Sequence, residues 1–140
     1  MAWLPTATVV GVVVLVALLV IFLRVRAQDQ LEAIINQKKS SSRLVTRAQF
    51  VEGLERIPVA LSLASDAVNY ENPDLQASLS LDVIDEIEYD DETATGHTVV
   101  GKTLRLRSHG HTFEFILDSA TARQWSELLA PRTFDQARAV

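Results

Sequence analysis

Hydrophobic and polar positions divide this chain into three regimes. From Ala2 to Leu23, 22 residues pass without a charged side chain, and Val9 to Leu23 is almost wholly aliphatic. About 20 helical residues cross the roughly 30 Å hydrocarbon layer of a bilayer. A lipid-exposed strand would leave its peptide groups unbonded, so the β-branched run Val12-Val13-Val14 is predicted helical despite its preference for strand in water. A buried soluble helix would show a polar face, and none exists. A cleaved signal peptide would show a basic start, a shorter apolar core and a small-residue cleavage site. Here no Lys or Arg precedes the core, and the one cleavage candidate, Val25-Arg26-Ala27, has an arginine in its middle. Residues 1–23 are therefore expected to be an uncleaved transmembrane anchor, with Trp3 at the interface and Pro5 in the first turn.

Residues 24–43 form a basic neck. Leu31, Ile34 and Ile35 recur at helical spacing, Gln28 or Asp29 is placed to open this helix, and Lys38-Lys39 suits its negative C-terminal end. Ser40-Ser41-Ser42 reads as a short flexible linker. The basic residues are interrupted by Asp29 and Glu32, so the neck reads as a topology signal and spacer rather than a lipid-contact cluster.

Residues 44–130 change period again. Thr46 is expected to cap a short helix through Ala48, Phe50, Val51 and Leu54. After Pro58, Val59, Leu61 and Leu63 alternate with Ala60, Ser62 and Ala64 as in a half-buried strand. Ser65-Asp66-Ala67 reads as a turn, Val68 and Tyr70 as the next strand, Asn72-Pro73-Asp74 as another turn, and Ala77, Leu79 and Leu81 as a third strand. Val83, Ile84, Ile87 and Tyr89 lead into an acidic run, followed by a loop from Thr93 to His97. Strand patterning resumes from Val99 through Leu106, turns at His109-Gly110, and continues through Phe113, Phe115 and Leu117. Asp118 or Ser119 then caps a helix whose apolar stripe is Ala122, Trp125, Leu128 and Leu129, ended by Pro131. The result is five or six antiparallel strands closed by one amphipathic helix, with Trp125 as a plug. Residues 131–140 are expected to be a disordered tail.

The composition narrows this further. The 140 residues are 48% hydrophobic and 22% charged, carry a net charge of −5, and include no cysteine. That length supports one domain, and the absence of cysteine removes disulfides, thiol nucleophiles and thiolate zinc sites. Residues 1–47 hold six basic groups and two acids, a net of +4, so residues 48–140 carry −9. Arg24, Arg26, Lys38, Lys39 and Arg43 all follow the apolar run, which predicts an N-terminus outside and the body in the cytoplasm, beneath the inner membrane in a bacterium.

The strands Val59–Ser65, Ala67–Glu71, Ala77–Leu81, Lys102–Arg107 and His111–Leu117, followed by the helix Ala120–Leu129 bearing Trp125, resemble a pleckstrin-homology-like (PH or GRAM-type) domain over residues 50–130. The resemblance implies an α+β, mainly antiparallel fold: a seven-stranded bent barrel capped by a C-terminal helix with its Trp. The sequence accounts for one strand fewer. Phosphoinositide-binding members use basic residues in and after the first hairpin, whereas the hairpin Ser65-Asp66-Ala67 is acidic. The similar basic run Lys102-x-x-Arg105-x-Arg107 falls on a late strand, where it is a candidate lipid or anion contact; a solvated face paired with acids such as Glu114 is the simpler expectation, because a body at −9 repels anions.

Asp85, Glu86, Glu88, Asp90, Asp91 and Glu92 lack the spacing of a calcium loop and read as a solvated edge or a docking surface for a basic partner. His109 and His111, even with His97, lack a third placed ligand, so no metal is expected. No cofactor is expected either, because the five glycines are scattered and form no phosphate-cradling loop. No serine sits in a nucleophile elbow, and the acidic body argues against nucleic acid. The chain therefore reads as a membrane-anchored, non-catalytic interaction or scaffold module with a protein partner in a larger membrane complex. Anionic-lipid recognition through Lys102, Arg105 and Arg107 is the alternative.

Overall fold

The computed structural model describes residues 4–133; the expected interfacial Trp3 and residues 134–140 of the expected tail lie outside them. The first element is one helix, α1 (Leu4–Lys38), of 35 residues. Its apolar part is long and apolar enough to cross a membrane. At 1.5 Å per residue the helix is about 52 Å long, well beyond a hydrocarbon layer. The neck is thus not a separate helix opened by Gln28 or Asp29. The turns of α1 run unbroken through Arg24 and Arg26, because nothing in Arg24–Gln37 is a helix breaker.

Seven strands follow: β1 (Leu44–Glu52), β2 (Glu55–Leu63), β3 (Ala67–Asn72), β4 (Leu75–Ser80), β5 (Glu86–Glu92), β6 (Thr98–Ser108) and β7 (His111–Leu117). They form one antiparallel sheet in the order β4-β3-β2-β1-β7-β6-β5. The chain closes with α2 (Ser119–Leu128). The helix expected from Thr46 to Leu54 is instead β1. Its register with β2 is uninterrupted from Leu44 opposite Leu63 to Glu52 opposite Glu55. Thr46, Ala48 and Phe50 share the inner face, so a period of two wins over the helical reading. The first hairpin therefore turns at Gly53-Leu54, where Gly53 adopts φ +61°, and not at Ser65-Asp66-Ala67. This strand is the one missing from the sequence count.

The expected barrel is an open sheet: β4 and β5 are its two edges and do not pair with each other. The β5 edge takes Arg132 instead. Ile87 and Arg132 exchange both backbone hydrogen bonds at 3.0 Å, and the Arg132 guanidinium donates to the carbonyls of Leu81 and Ile84. Arg132, assigned by sequence to the tail, is held against the sheet.

The inner face holds the core. Val59, Leu61, Leu63, Leu104, Leu106, Phe115 and Trp125 are fully buried. Phe50, Tyr70 and Phe115 meet with ring centroids 4.8–5.4 Å apart, the spacing that favours tilted and edge contacts. Helix α2 lays Ala122, Trp125 and Leu129 on this face, while Leu128, expected in the same stripe, is 41% exposed. The Asp118 carboxylate accepts from Thr121 N–H at 2.7 Å and caps the helix. That bond holds the Asp118 carboxyl below its ordinary range. Trp125 Nε1 donates to Thr46 Oγ1 at 2.8 Å, so its one polar atom is satisfied inside the core. One glycine is obligatory. At Gly101 (φ +106°) a Cβ would lie 2.2 Å from the Leu117 carbonyl oxygen, so only glycine lets β6 pass β7 this closely.

The outer face holds α1. Leu31 and Ile35 are buried against Ala60, with Ile34 and Val45 beside them. Lys38 lies 3.3 Å from Glu71, and Arg47 lies 2.9 Å from Glu32. The helix ends at Lys38, and Ser41 N–H folds back onto the Lys38 carbonyl at 3.1 Å before Arg43 N–H joins Leu63 at 2.7 Å. The serines are a tight turn that brings helix and sheet together.

Truncating Trp125 to Ala should cost about 3–5 kcal/mol, the range for a large aromatic removed from a packed core. Denaturant unfolding of the full chain in detergent measures it; a near-neutral result would contradict the role of Trp125 as the central core residue.

Candidate functional site

The acidic run and the basic run, separate in sequence, face each other in space. Strand β5 lies opposite β6 with Glu86 against Arg107, Glu88 against Arg105 and Asp90 against Thr103. The next strand places Glu114 of β7 on the other side of Arg105. On an antiparallel sheet directly opposed side chains share a face and interact. Arg107 accordingly pairs with Glu86 at 2.9 Å, and Lys102 pairs with Asp91.

Arg105 is the centre. It is 5% exposed. Its Nη1 lies 3.0 Å from Glu88 and 3.3 Å from Asp90, its Nε and Nη2 each lie 3.2 Å from Glu114 Oε2, and Nη2 donates to the Glu92 carbonyl at 3.0 Å. Every guanidinium nitrogen has an acceptor, which is what a buried cation requires. The same Glu114 oxygen accepts from Ala94 N–H at 2.8 Å, so the Thr93–His97 loop folds down over the pair. The register of β5 against β6 shifts between Asp90 and Glu92, beside this cluster. Burial pulls the Arg105 guanidinium down, but Glu88, Glu114 and Asp90 outweigh it and leave it above its ordinary value. The Asp91 N–H, then Arg105, hold the Asp90 carboxyl below its ordinary range.

Geometry therefore merges the two candidate sites into one. The expected anion contacts Lys102, Arg105 and Arg107 are each engaged by carboxylates. Glu86, Glu88, Asp90 and Asp91 of the expected docking face are each engaged by a base. Asp85 accepts from His109 N–H at 3.3 Å, and Glu92 contributes its carbonyl. The arrangement locks three strands and a loop. The histidines stay apart in role: His97 Nδ1 meets Thr95 Oγ1 at 2.8 Å, His109 sits in a turn at φ +51°, and His111 is exposed. Among the described residues no three His, Asp or Glu side chains come together as a metal-holding group.

A second feature escaped the sequence reading. Between the first turns of α1 beyond its apolar run and the outer face of the sheet lies an open groove of about 910 Å³. Its floor is the cross-strand row Pro58, Gln49 and Ile116 of β2, β1 and β7. Leu31 closes one end, where the helix meets the sheet. Arg24, Arg47 and Arg56 line it, as do Asp74 and Asp118. The signal was present as spacing. Arg24, Gln28, Leu31, Ile35 and Lys38 recur at intervals of three and four, one face of one helix. It is visible only if the helix is continuous.

Replacing Arg105 by Leu should cost about 3–5 kcal/mol by stranding Glu114 beneath the loop, whereas Lys102→Ala, an exposed pair, should cost under about 1 kcal/mol. Urea titration of both variants checks the contrast. Stability contributed by Asp90 is full above its unfolded value of about 3.9 and is lost as pH falls through its lower folded value; Asp90→Asn should flatten that acid limb. No family model matches this chain, and no curated protein matches it.

Proposed function

We propose that this protein is a membrane-anchored, non-catalytic interaction module that presents a PH-like domain on the cytoplasmic face, with its N-terminus outside. The observation that carries the reading is α1. One helix contains the bilayer-length apolar run and then buries Leu31 and Ile35 on the sheet, so the domain is mounted on its anchor instead of hanging from a linker. The strand order, with β1 central and a Trp-bearing helix after β7, supports the PH-like assignment. The excess of Arg and Lys directly after the apolar run supports the orientation.

For docking, Glu86, Glu88, Asp90 and Asp91 of the acidic face are engaged by Lys102, Arg105 and Arg107, which turns attention to a sheet edge. The β5 edge carries Glu86, Glu88 and Asp90 and is met by Arg132. The β4 edge, Leu75–Ser80, is six residues without a charge or a proline. Such an edge accepts an added strand through its backbone groups. A protein segment in extended conformation is the partner this surface suits.

Two measurements test this. The chain has no cysteine, so Ser65→Cys, in the exposed turn before β3, reports topology without background. A membrane-impermeant maleimide should label it only after cell lysis; labelling of intact cells would reverse the orientation. A photo-crosslinker at Ser78 of β4 in native membranes should yield a discrete adduct that one at Thr112 of β7 does not. No adduct at Ser78 would remove the edge from the proposal.

A further inference from the structure

We infer that the groove between α1 and the outer face of β1, β2 and β7 receives the phosphate-bearing headgroup of an anionic phospholipid from the bilayer that α1 crosses. This rests on the membrane-anchored reading above. It places lipid contact on residues other than the Lys102, Arg105 and Arg107 run, whose charges are already matched.

Position is the first reason. Arg24 is the first charged residue after the apolar run, so the mouth of the groove lies where the helix leaves the hydrocarbon. Its place in the stripe Arg24, Gln28, Leu31, Ile35 turns it toward the sheet. Charge is the second. Arg24 and Arg56 are exposed and, among the described residues, make no ion pair. Arg47 is shared with Glu32. Asp118 is committed to the N-terminus of α2, and Asp74 remains as the one opposing carboxylate. With Arg47 offset by Glu32 and Asp118 by the N-terminus of α2, two unpaired arginines, Arg24 and Arg56, face one aspartate in the lining. Unpaired arginines draw an anion to this surface. Shape is the third. Pro58 and Ile116 on either side of Gln49, with Leu31 at one end, give the groove a largely apolar lining beneath an arginine rim, which suits an amphiphile with a glycerol backbone better than free phosphate. Val100, 98% exposed, lines the same groove and adds an apolar contact.

The test uses the full chain in nanodiscs of phosphatidylcholine with a minor fraction of phosphatidylglycerol, with retained lipids identified by native mass spectrometry. Phosphatidylglycerol should be retained out of proportion to its share. Arg56→Gln should lower that retention about fivefold, the electrostatic share of one basic side chain at an anionic surface, and adding Arg24→Gln should lower it further. Arg56 is exposed and unpaired, so this variant keeps the fold. Arg26→Gln should leave retention unchanged, because Arg26 lies on another face of α1 and does not line the groove. Equal losses from Arg26→Gln and Arg24→Gln would overturn the groove in favour of a general basic collar. Retention unaffected by Arg56→Gln would overturn it outright. Glycerol phosphate offered to the detergent-solubilised protein should not bind; if it binds as the lipid does, the ligand comes from solution and the proposal fails. Failure of the chain to enter nanodiscs at all would instead defeat the membrane-anchored reading.

Discussion

Leu31 and Ile35 resting on Ala60 convert a long helix and a small sheet into one body. The outer face of β2 offers Pro58, Ala60 and Ser62 along the contact, and the small Ala60, 1% exposed, lets the helix come close. Lys38 with Glu71 and Arg47 with Glu32 flank that apolar contact on two sides. The exposed Arg47–Glu32 pair adds little energy, and the partly buried Lys38–Glu71 pair lies more sheltered; together they fix which way the helix points. The groove, the burial of Ser62 and the placement of Arg24 over the sheet all follow from this contact. Were the neck a free spacer, none of them would exist.

The electrostatics are equally local. A body at −9 suggests a surface that would attract any basic partner. Part of its acidity is tied up in pairs, because Glu88, Asp90 and Glu114 surround one arginine that is 5% exposed. In a cluster whose Arg105 and Glu114 are buried while Glu88 and Asp90 face solvent, desolvation of the buried pair offsets much of the attraction. The cluster's value lies in register. A one-residue slip between β5 and β6 would send Arg105 to the apolar inner face and bring Leu104 or Leu106 out. The matched charges therefore specify how the strands at this end of the sheet align.

How much of this was legible in the sequence varies with the kind of signal. The apolar run, the strands from Val59 to Asn72, the His109-Gly110 turn and the capped α2 with its inward Trp125 were readable, because period and turn chemistry act over a few residues. Strand β1 was not. Ala48, Phe50, Val51 and Leu54 fit a short helix as well as a strand, and only pairing with β2 on one side and β7 on the other decides. Losing β1 also misplaced the first hairpin. The alternating acids of β5 and the alternating bases of β6 are each legible, but their union is not, because cross-strand partners 11 or more residues apart leave no mark in local periodicity. The groove needed two facts together: a helix without a break, and Pro58, Gln49 and Ile116 in one row.

The unbroken α1 has a mechanical consequence. With no hinge between the apolar run and the docked stripe, the azimuth of the sheet about the helix axis is set by residue count alone. Each residue added or removed near Arg26 would swing the sheet by about 100° and shift it by about 1.5 Å along the axis. Tilt is transmitted in the same way. A helix that leans to match a thinner hydrocarbon layer would carry the whole sheet with it, lowering one flank toward the headgroups and raising the other. The domain would then register membrane thickness as an angle.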